Sequence, residues 1–325
     1  MRIETALTYA SPDNPVCLIG APGIGKSAIV ESWAARSNRR CYIEHPTIAQ
    51  SVDYRGLPAV IDGAAHWLPL GTLRELCEPG PAAVLFLDDV GQAPTPVQAA
   101  LMQLVWARRL GDTALRGNVT IVMATNRVTD RSGVRPLLSA LVGRIQMCPV
   151  EMPPESWSDW AVLQLEIPAT IAAYPRFRPD CFAQSVPDDP MMPYCTPRSL
   201  HQAGRLVKQG CADLELLAGW ISEAVAADFL LYAKHVHELP SLEALLQDPT
   251  LLDKRANKDP GLLHAISIMA AQAVERAPEE MLRLADHMGA GWAIATVSRA
   301  TNVWPEFKKS AAFRKWAVAH QDLLG

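Results

Sequence analysis

The chain has 325 residues, 49% of them hydrophobic and 20% charged, with a formal net charge of −4. Single hydrophobic cores stop growing near ~250–300 residues, so about two domains are expected, and so dry a composition excludes an acidic or low-complexity disordered protein. Residues 1–150 carry 14 Lys/Arg against 12 Asp/Glu and the remainder 16 against 22, so neither part has the basic excess of a nucleic-acid binder.

The seven cysteines are odd in number and widely spaced, with no CxxC pair, as expected of reduced thiols in a cytosolic protein. The N-terminal MRIETALTYA has no apolar h-region, and no stretch reaches the ~18 uninterrupted apolar residues of a membrane span. A cytoplasmic protein with no membrane partner is therefore expected. Prolines number 26, about 8% against a usual ~5%.

In chain order, Val16–Ile19 is a short apolar run, then a glycine-rich turn, then SAIVESWAARS with apolar residues at helical spacing. Residues 40–44 (RCYIE) predict a second strand. Ala83–Leu87 (AVLFL) and Val119–Thr125 (VTIVMAT) are continuous apolar runs of the kind buried on both faces of a parallel sheet. Val97–Arg109 predicts a helix, and Ile145–Val150 a last short strand. Strands alternating with helices to residue 150 predict an α/β domain with a parallel sheet. Beyond Val150 the pattern turns helical. Nine prolines fall between Met152 and Pro197, and helices are predicted at 199–207, 214–235, 262–274, 278–288 and 311–324.

Residues 20–27 read GAPGIGKS, the G-x-x-x-x-G-K-[ST] phosphate loop, between a strand and a helix as that motif requires. Gly20, Gly23 and Gly25 let backbone N–H groups turn toward phosphates, and the helix N-terminus adds partial positive charge. The nucleotide-binding segment is Gly20, Ala21, Pro22, Gly23, Ile24, Gly25, Lys26, Ser27 and Ala28. Lys26 is suited to the β- and γ-phosphates of ATP, and the Ser27 hydroxyl to Mg²⁺. The run AVLFL ends in Asp88-Asp89, at the end of a strand beside the loop. Asp88 is the second candidate metal residue, and Asp89 the candidate that orients or deprotonates the attacking water. Asn126, in MATN at the end of the next buried strand, is suited to positioning that water.

GAPGIGKS, LFLDDV, MATN, Arg144 in ALVGRI and Arg198 in TPRSL resemble, in order and rough spacing, the motifs of AAA+ ATPases, and more narrowly those of the MoxR-like, dynein-related branch. The resemblance covers residues 1 to about 235. It implies a P-loop NTPase sheet domain over 1–150 and a helical lid with sensor 2 over 151–235, while 236–325 lies outside it as a helical C-terminal extension of unknown role. It also implies Walker A, Walker B and sensor 1 in the order given, Arg144 as a finger acting in trans and Arg198 acting in cis. A finger in trans requires an oligomer, which the resemblance makes a hexameric ring. Arg135 and Arg131 are alternative fingers. Residues 63–73 correspond to the helix-2 insert and residues 108–117 to the pre-sensor hairpin, with Trp67 and Arg109 as candidate pore contacts. The partner class implied is a client or a protein with a von Willebrand factor A domain.

One residue departs from the pattern. The family usually has Glu where this chain has Asp89, one methylene shorter, so a slowly hydrolysing or non-hydrolysing assembly switch is an alternative. A DNA-associated loader or regulator is a second, weakened by the absence of a basic stripe. In the helical part, Trp157, Trp160 and Trp220 are expected to pack in the core. His235, His237 and His264 lack a ligand spacing. The terminal helix bearing Lys308, Lys309, Arg314 and Lys315 beside Phe313 and Trp316 is expected to close its own domain.

Overall fold

Five short segments, three of them continuous apolar runs, become one parallel sheet. The strands of the first half are β1 (Val16–Ile19), β2 (Arg40–Glu44), β3 (Leu57–Ile61), β4 (Ala64–Leu68), β5 (Ala83–Leu87), β6 (Arg109–Leu110), β7 (Thr113–Ala114), β8 (Val119–Thr125) and β9 (Gln146–Pro149). The computed structural model describes residues 3–130, 133–164, 167–189, 191–237, 240–252 and 260–321. The sheet order is β2-β5-β8-β1-β9 and every pairing in it is parallel. Every residue of β5 and β8 is buried, as strands covered on both faces require. The helices of this half are α1 (Ile3–Thr8), which precedes β1, and α2 (Lys26–Arg36), α3 (Ser51–Arg55), α4 (Gly71–Glu75), α5 (Thr95–Met102) and α6 (Ser139–Val142).

The register brings the site together. Ile19 lies beside Thr125 and Leu87 beside Met123, so β1, β8 and β5 end along one edge of the sheet. Strand β8 lies between the other two, so the strand carrying Asp88 is next but one to the strand of the phosphate loop, not its immediate neighbour.

Two hairpins stand outside the sheet. In β3–β4 the two linking residues, Asp62 and Gly63, have φ of 52° and 79°. Both central residues being left-handed is the geometry of a two-residue type I′ turn, which Asp-Gly favours. The insert expected from residue 63 thus begins earlier, at Leu57. Residues 108–117 hold the second hairpin, β6–β7. The hairpins pack on each other: the Trp67 N–H donates to Asp112 Oδ2 at 2.8 Å, and the Arg55 guanidinium lies 4.5 Å from the Trp67 ring centre. Gly111, at φ 57°, sits where a Cβ would be 2.3 Å from Arg55 O and 2.5 Å from Trp67 Cβ, so any side chain there would separate them.

The helix expected over 97–109 stops short. After α5, residues Gln103–Ala107 form a π-helical turn, Arg108 turns left-handed at φ 52°, and Arg109 already belongs to β6. Arg108 fixes this exit by donating to Pro12 O at 2.7 Å and to Val119 O at 2.8 Å.

Contacts divide the chain into two units, Met1–Met152 and Pro153–Gly325. The described residues of the second form helices α7 (Pro154–Gln164), α8 (Ala169–Phe177), α9 (Pro197–Lys208), α10 (Leu214–Ile221), α11 (Glu223–His237), α12 (Leu242–Gln247), α13 (Pro260–Gln272), α14 (Pro278–His287), α15 (Ala290–Val303) and α16 (Ala311–Ala319). The single helix expected over 214–235 is two, broken at Ser222 with φ 73°. That break explains the apolar residues on several faces: α10 buries Leu217 and Ile221, whereas Phe229 and Tyr232 are buried from α11. Trp157 is buried and Trp160 half-buried, but Trp220 is 44% exposed, contrary to expectation. In α16 the ring of Trp316 is buried and its Nε1 donates to Asp286 Oδ1 at 2.7 Å, so this helix closes its own unit while Arg314 and Lys315 face water.

Candidate nucleotide-binding site

Four polar side chains are buried at the C-terminal edge of the sheet: Lys26, Asp88, Thr125 and Asn126, between 4% and 9% exposed. Groups of this kind are buried only with partners. The Lys26 ammonium donates to Asn126 Oδ1 at 2.7 Å, to Gly20 O at 2.9 Å and to Ala21 O at 3.0 Å. The Ser27 hydroxyl donates to Asp88 Oδ2 at 2.6 Å. The phosphate-loop residues Lys26 and Ser27 are thus in direct contact with Asn126 and Asp88, up to 100 positions away in the chain.

The backbone explains the residue types around them. Gly20 has no room for a side chain, since a Cβ would lie 2.5 Å from Ile24 Cδ1 and 2.8 Å from Val150 O. Gly25, at φ 95°, is the N-cap of α2 and supplies no side-chain cap. The first-turn N–H groups of a helix have no intrahelical acceptor, so the loop from Gly20 to Ala28 offers backbone donors and a positive helix end to an anion. The Gly20 N–H donates to Thr125 O at 3.2 Å, tying the start of the loop to the end of β8.

Asp88 Oδ1 also accepts from the Asp89 N–H at 3.0 Å. Asp89 itself is left-handed, at φ 56° and ψ 37°, where it begins the 3₁₀ turn Val90–Gln92. Asp is among the few residues enriched in that conformation, because its short side chain bonds locally. The aspartate that stands where a glutamate is usual therefore has a backbone reason. In the next turn Gly91 lies where a Cβ would be 2.2 Å from Thr125 Oγ1, which holds the acidic turn close against β8.

Ser27 and Asp88 are hard oxygen donors at contact distance, the chemistry that holds Mg²⁺. Among the described residues no group of three or more His, Cys, Asp or Glu side chains could hold a metal alone. A cation at Ser27 and Asp88 would thus complete its shell with water and substrate phosphates, as Mg²⁺ does.

The arginines are less converged. Arg144, just after α6, is exposed; its Nη1 donates to Ala140 O, and its guanidinium lies 5.5 Å from the Trp106 ring centre. Arg135 is exposed, with its N–H on Gly91 O at 2.8 Å, and Arg131 lies outside the described residues. Arg198 is exposed on the first turn of α9, whose N-cap Thr196 accepts from Ser199 N–H at 3.1 Å while Ser199 Oγ accepts from Thr196 N–H at 2.8 Å. Sequence reasoning missed Trp106. The helical period puts Leu101, Leu104 and Val105 inward and leaves Trp106 outward, so an aromatic off the apolar face was the available signal.

A phosphate loop between β1 and α2, a sheet of order β2-β5-β8-β1-β9 and an acidic strand end define a P-loop NTPase with the AAA+ fold. The sequence profile of the AAA domain (dynein-related subfamily) matches residues 15–145, so the likeness to AAA+ ATPases lies in this part of the chain. The nitric oxide reductase transcription regulator NorR2 of Cupriavidus necator is 30% identical over 159 residues, which are 45% of this chain and 29% of that protein. The DNA-binding transcriptional activator HyfR of Escherichia coli is 28% identical over 162 residues, 45% of this chain and 23% of HyfR. The chain thus spans less than a third of the length of these relatives. Among solved structures, the Thermotoga maritima RuvB Holliday junction branch migration motor superposes with a TM-score of 0.40 at 16% identity, covering 98% of this chain and 86% of that one. NtrX from Brucella abortus in complex with ADP gives 0.41 at 13% identity, covering 94% and 66%.

Proposed function

We propose that the protein is a Mg²⁺-ATP-dependent ATPase of MoxR-like type that assembles into a hexameric ring and remodels a protein client.

 The observation that carries the reading is the pair of contacts at the sheet edge, Lys26 to Asn126 and Ser27 to Asp88. In this reading Lys26 neutralises the β- and γ-phosphate oxygens, while the loop N–H groups and the α2 N-terminus orient them. Bound at Ser27 and Asp88, Mg²⁺ would neutralise charge on the same phosphates. Asn126 orients a water, Asp89 accepts its proton as it attacks the γ-phosphorus, and the bond to the ADP oxygen breaks. Arg144 completes the neighbouring subunit's site and Arg198 its own, with residues 151–235 acting as a lid and 236–325 as an extension. The paired hairpins support a client-facing role: Val60 and Ile61 near the β3–β4 tip are exposed apolar residues. A client or a protein with a von Willebrand factor A domain is the partner class. Steady-state ATPase measured against protein concentration tests the ring: activity should rise cooperatively and be lost in Arg144→Ala. Concentration-independent turnover untouched by that change would favour a monomeric enzyme.

The names of the relatives favour a second reading, an ATPase working within a DNA-associated regulator. Salt-sensitive DNA binding by the full chain would support it. The left-handed Asp89 favours a third, a slow switch in which ATP drives assembly without fast turnover.

A further inference from the structure

We propose that Trp106 is a positioning residue that holds Arg144 back from the neighbouring subunit until the assembly releases it. The inference rests on the reading of Arg144 as the trans finger. Residues 106 and 144 are distant in sequence and both exposed, Trp106 at 67%, yet the guanidinium lies over the indole with 5.5 Å to the ring centre. A second restraint comes from the chain itself, since Arg144 Nη1 donates to Ala140 O. To reach a phosphate on another subunit the guanidinium must leave both.

The position of the indole is built in. Leu104 and Val105 are buried, which turns the next side chain outward. The π-helical turn Gln103–Ala107 re-aims that side chain relative to an α-helical path, a distortion common at functional sites. Arg108 then fixes the turn through Pro12 O and Val119 O and leads directly into β6. The ring that restrains the arginine is therefore the last aromatic before the β6–β7 hairpin. A load on that hairpin would act on the restraint first.

The test uses mixed assemblies of two full-length chains. Lys26→Ala chains lack a working site but offer Arg144; Arg144→Ala chains offer a site but no finger. Turnover in the mixture above that of either chain alone reports the trans contact. Adding Trp106→Ala to the Lys26→Ala chain should raise this turnover about twofold to fivefold, the strength of an exposed cation–π contact. Trp106→Phe in the same chain, which keeps an aromatic face, should hold the turnover near its starting value. Moved to the Arg144→Ala chain, Trp106→Ala should give no such rise. An unchanged or lower turnover with Trp106→Ala in the finger-donating chain, or an equal rise from either chain, overturns the proposal. A mixture no more active than its parents removes the trans finger itself, and the proposal with it.

Discussion

Each unit buries a polar cluster, and the two are built for different ends. In the sheet unit, Lys26, Asp88, Thr125 and Asn126 gather at strand ends and at a glycine-rich loop, where backbone N–H groups also converge. In the helical unit, Arg299 donates to Asp159 Oδ1 at 2.6 Å and to Ser267 Oγ at 2.8 Å, and its Nη2 lies 3.3 Å from His264 Nδ1. Ser267 and Thr296 share a further bond of 2.7 Å. The second cluster ties α7, α13 and α15 together from the middles of helices. Position, more than residue type, separates a cluster that can receive a ligand from one that crosslinks its own elements. Substitution in the first should cost function with little stability, and in the second the reverse.

The largest expected effect is at Lys26. Removing an ammonium that makes several charge-assisted contacts should weaken ATP binding by about 100-fold in Lys26→Ala, read by titration calorimetry, with the melting temperature of the free protein little changed. A Kd within a few-fold of the parent would break the comparison. Arg299→Ala is its counterpart. It strips partners from Asp159 and Ser267 and should cost about 2 kcal/mol in urea unfolding of the helical unit, less than a fully buried pair because Asp159 is 40% exposed. The ATP Kd should stay within about twofold, since no nucleotide group is assigned to that cluster.

A pH titration sharpens the same contrast. His264 is buried, and its pKa is pushed down from the usual 6.5 to about 2, first by burial and then by the charges of Arg299 and Arg176. With the folded pKa depressed, only the unfolded chain takes up the proton below pH 6.5. The stability held by neutral His264 is therefore complete above that pH and falls by about 1.4 kcal/mol per unit below it, toward pH 2. His264→Gln should flatten this limb between pH 6.5 and 5, measured as the change in urea midpoint. A parallel pH dependence in the two proteins would show that some other group sets the slope.

Much of the sheet unit was legible because its signals are local. Continuous apolar runs marked β5 and β8, and the loop motif needed only its flanking strand and helix. What escaped were features set by a backbone torsion or by packing between distant segments. The break falls on Ser222 itself, not on a glycine or proline. The start of the first hairpin at Leu57 depends on pairing with Leu68 across an Asp-Gly turn. Trp220 resembled a core residue because its helix is apolar all round, and only the packed structure shows that face exposed. The contact of Trp106 with Arg144 joins residues 38 positions apart, beyond any periodicity.

Asp89 carries the smallest expected effect and the sharpest choice. A left-handed backbone costs an ordinary L-residue about 1–2 kcal/mol, and Asp escapes part of this through local bonding that the longer Glu side chain makes less readily. Asp89→Glu should therefore lower the melting temperature of the sheet unit by about 2–4 °C, an effect near 1 kcal/mol. If reach to the water limits turnover, the same change should raise kcat, so stability and activity move in opposite directions. Asp89→Asn separates the two causes: it tolerates the left-handed backbone but cannot accept a proton, so stability should hold while turnover falls. A drop in kcat for Asp89→Glu, with the same small loss of stability, would mean that the site is built around the shorter carboxylate and would strengthen the assembly-switch reading.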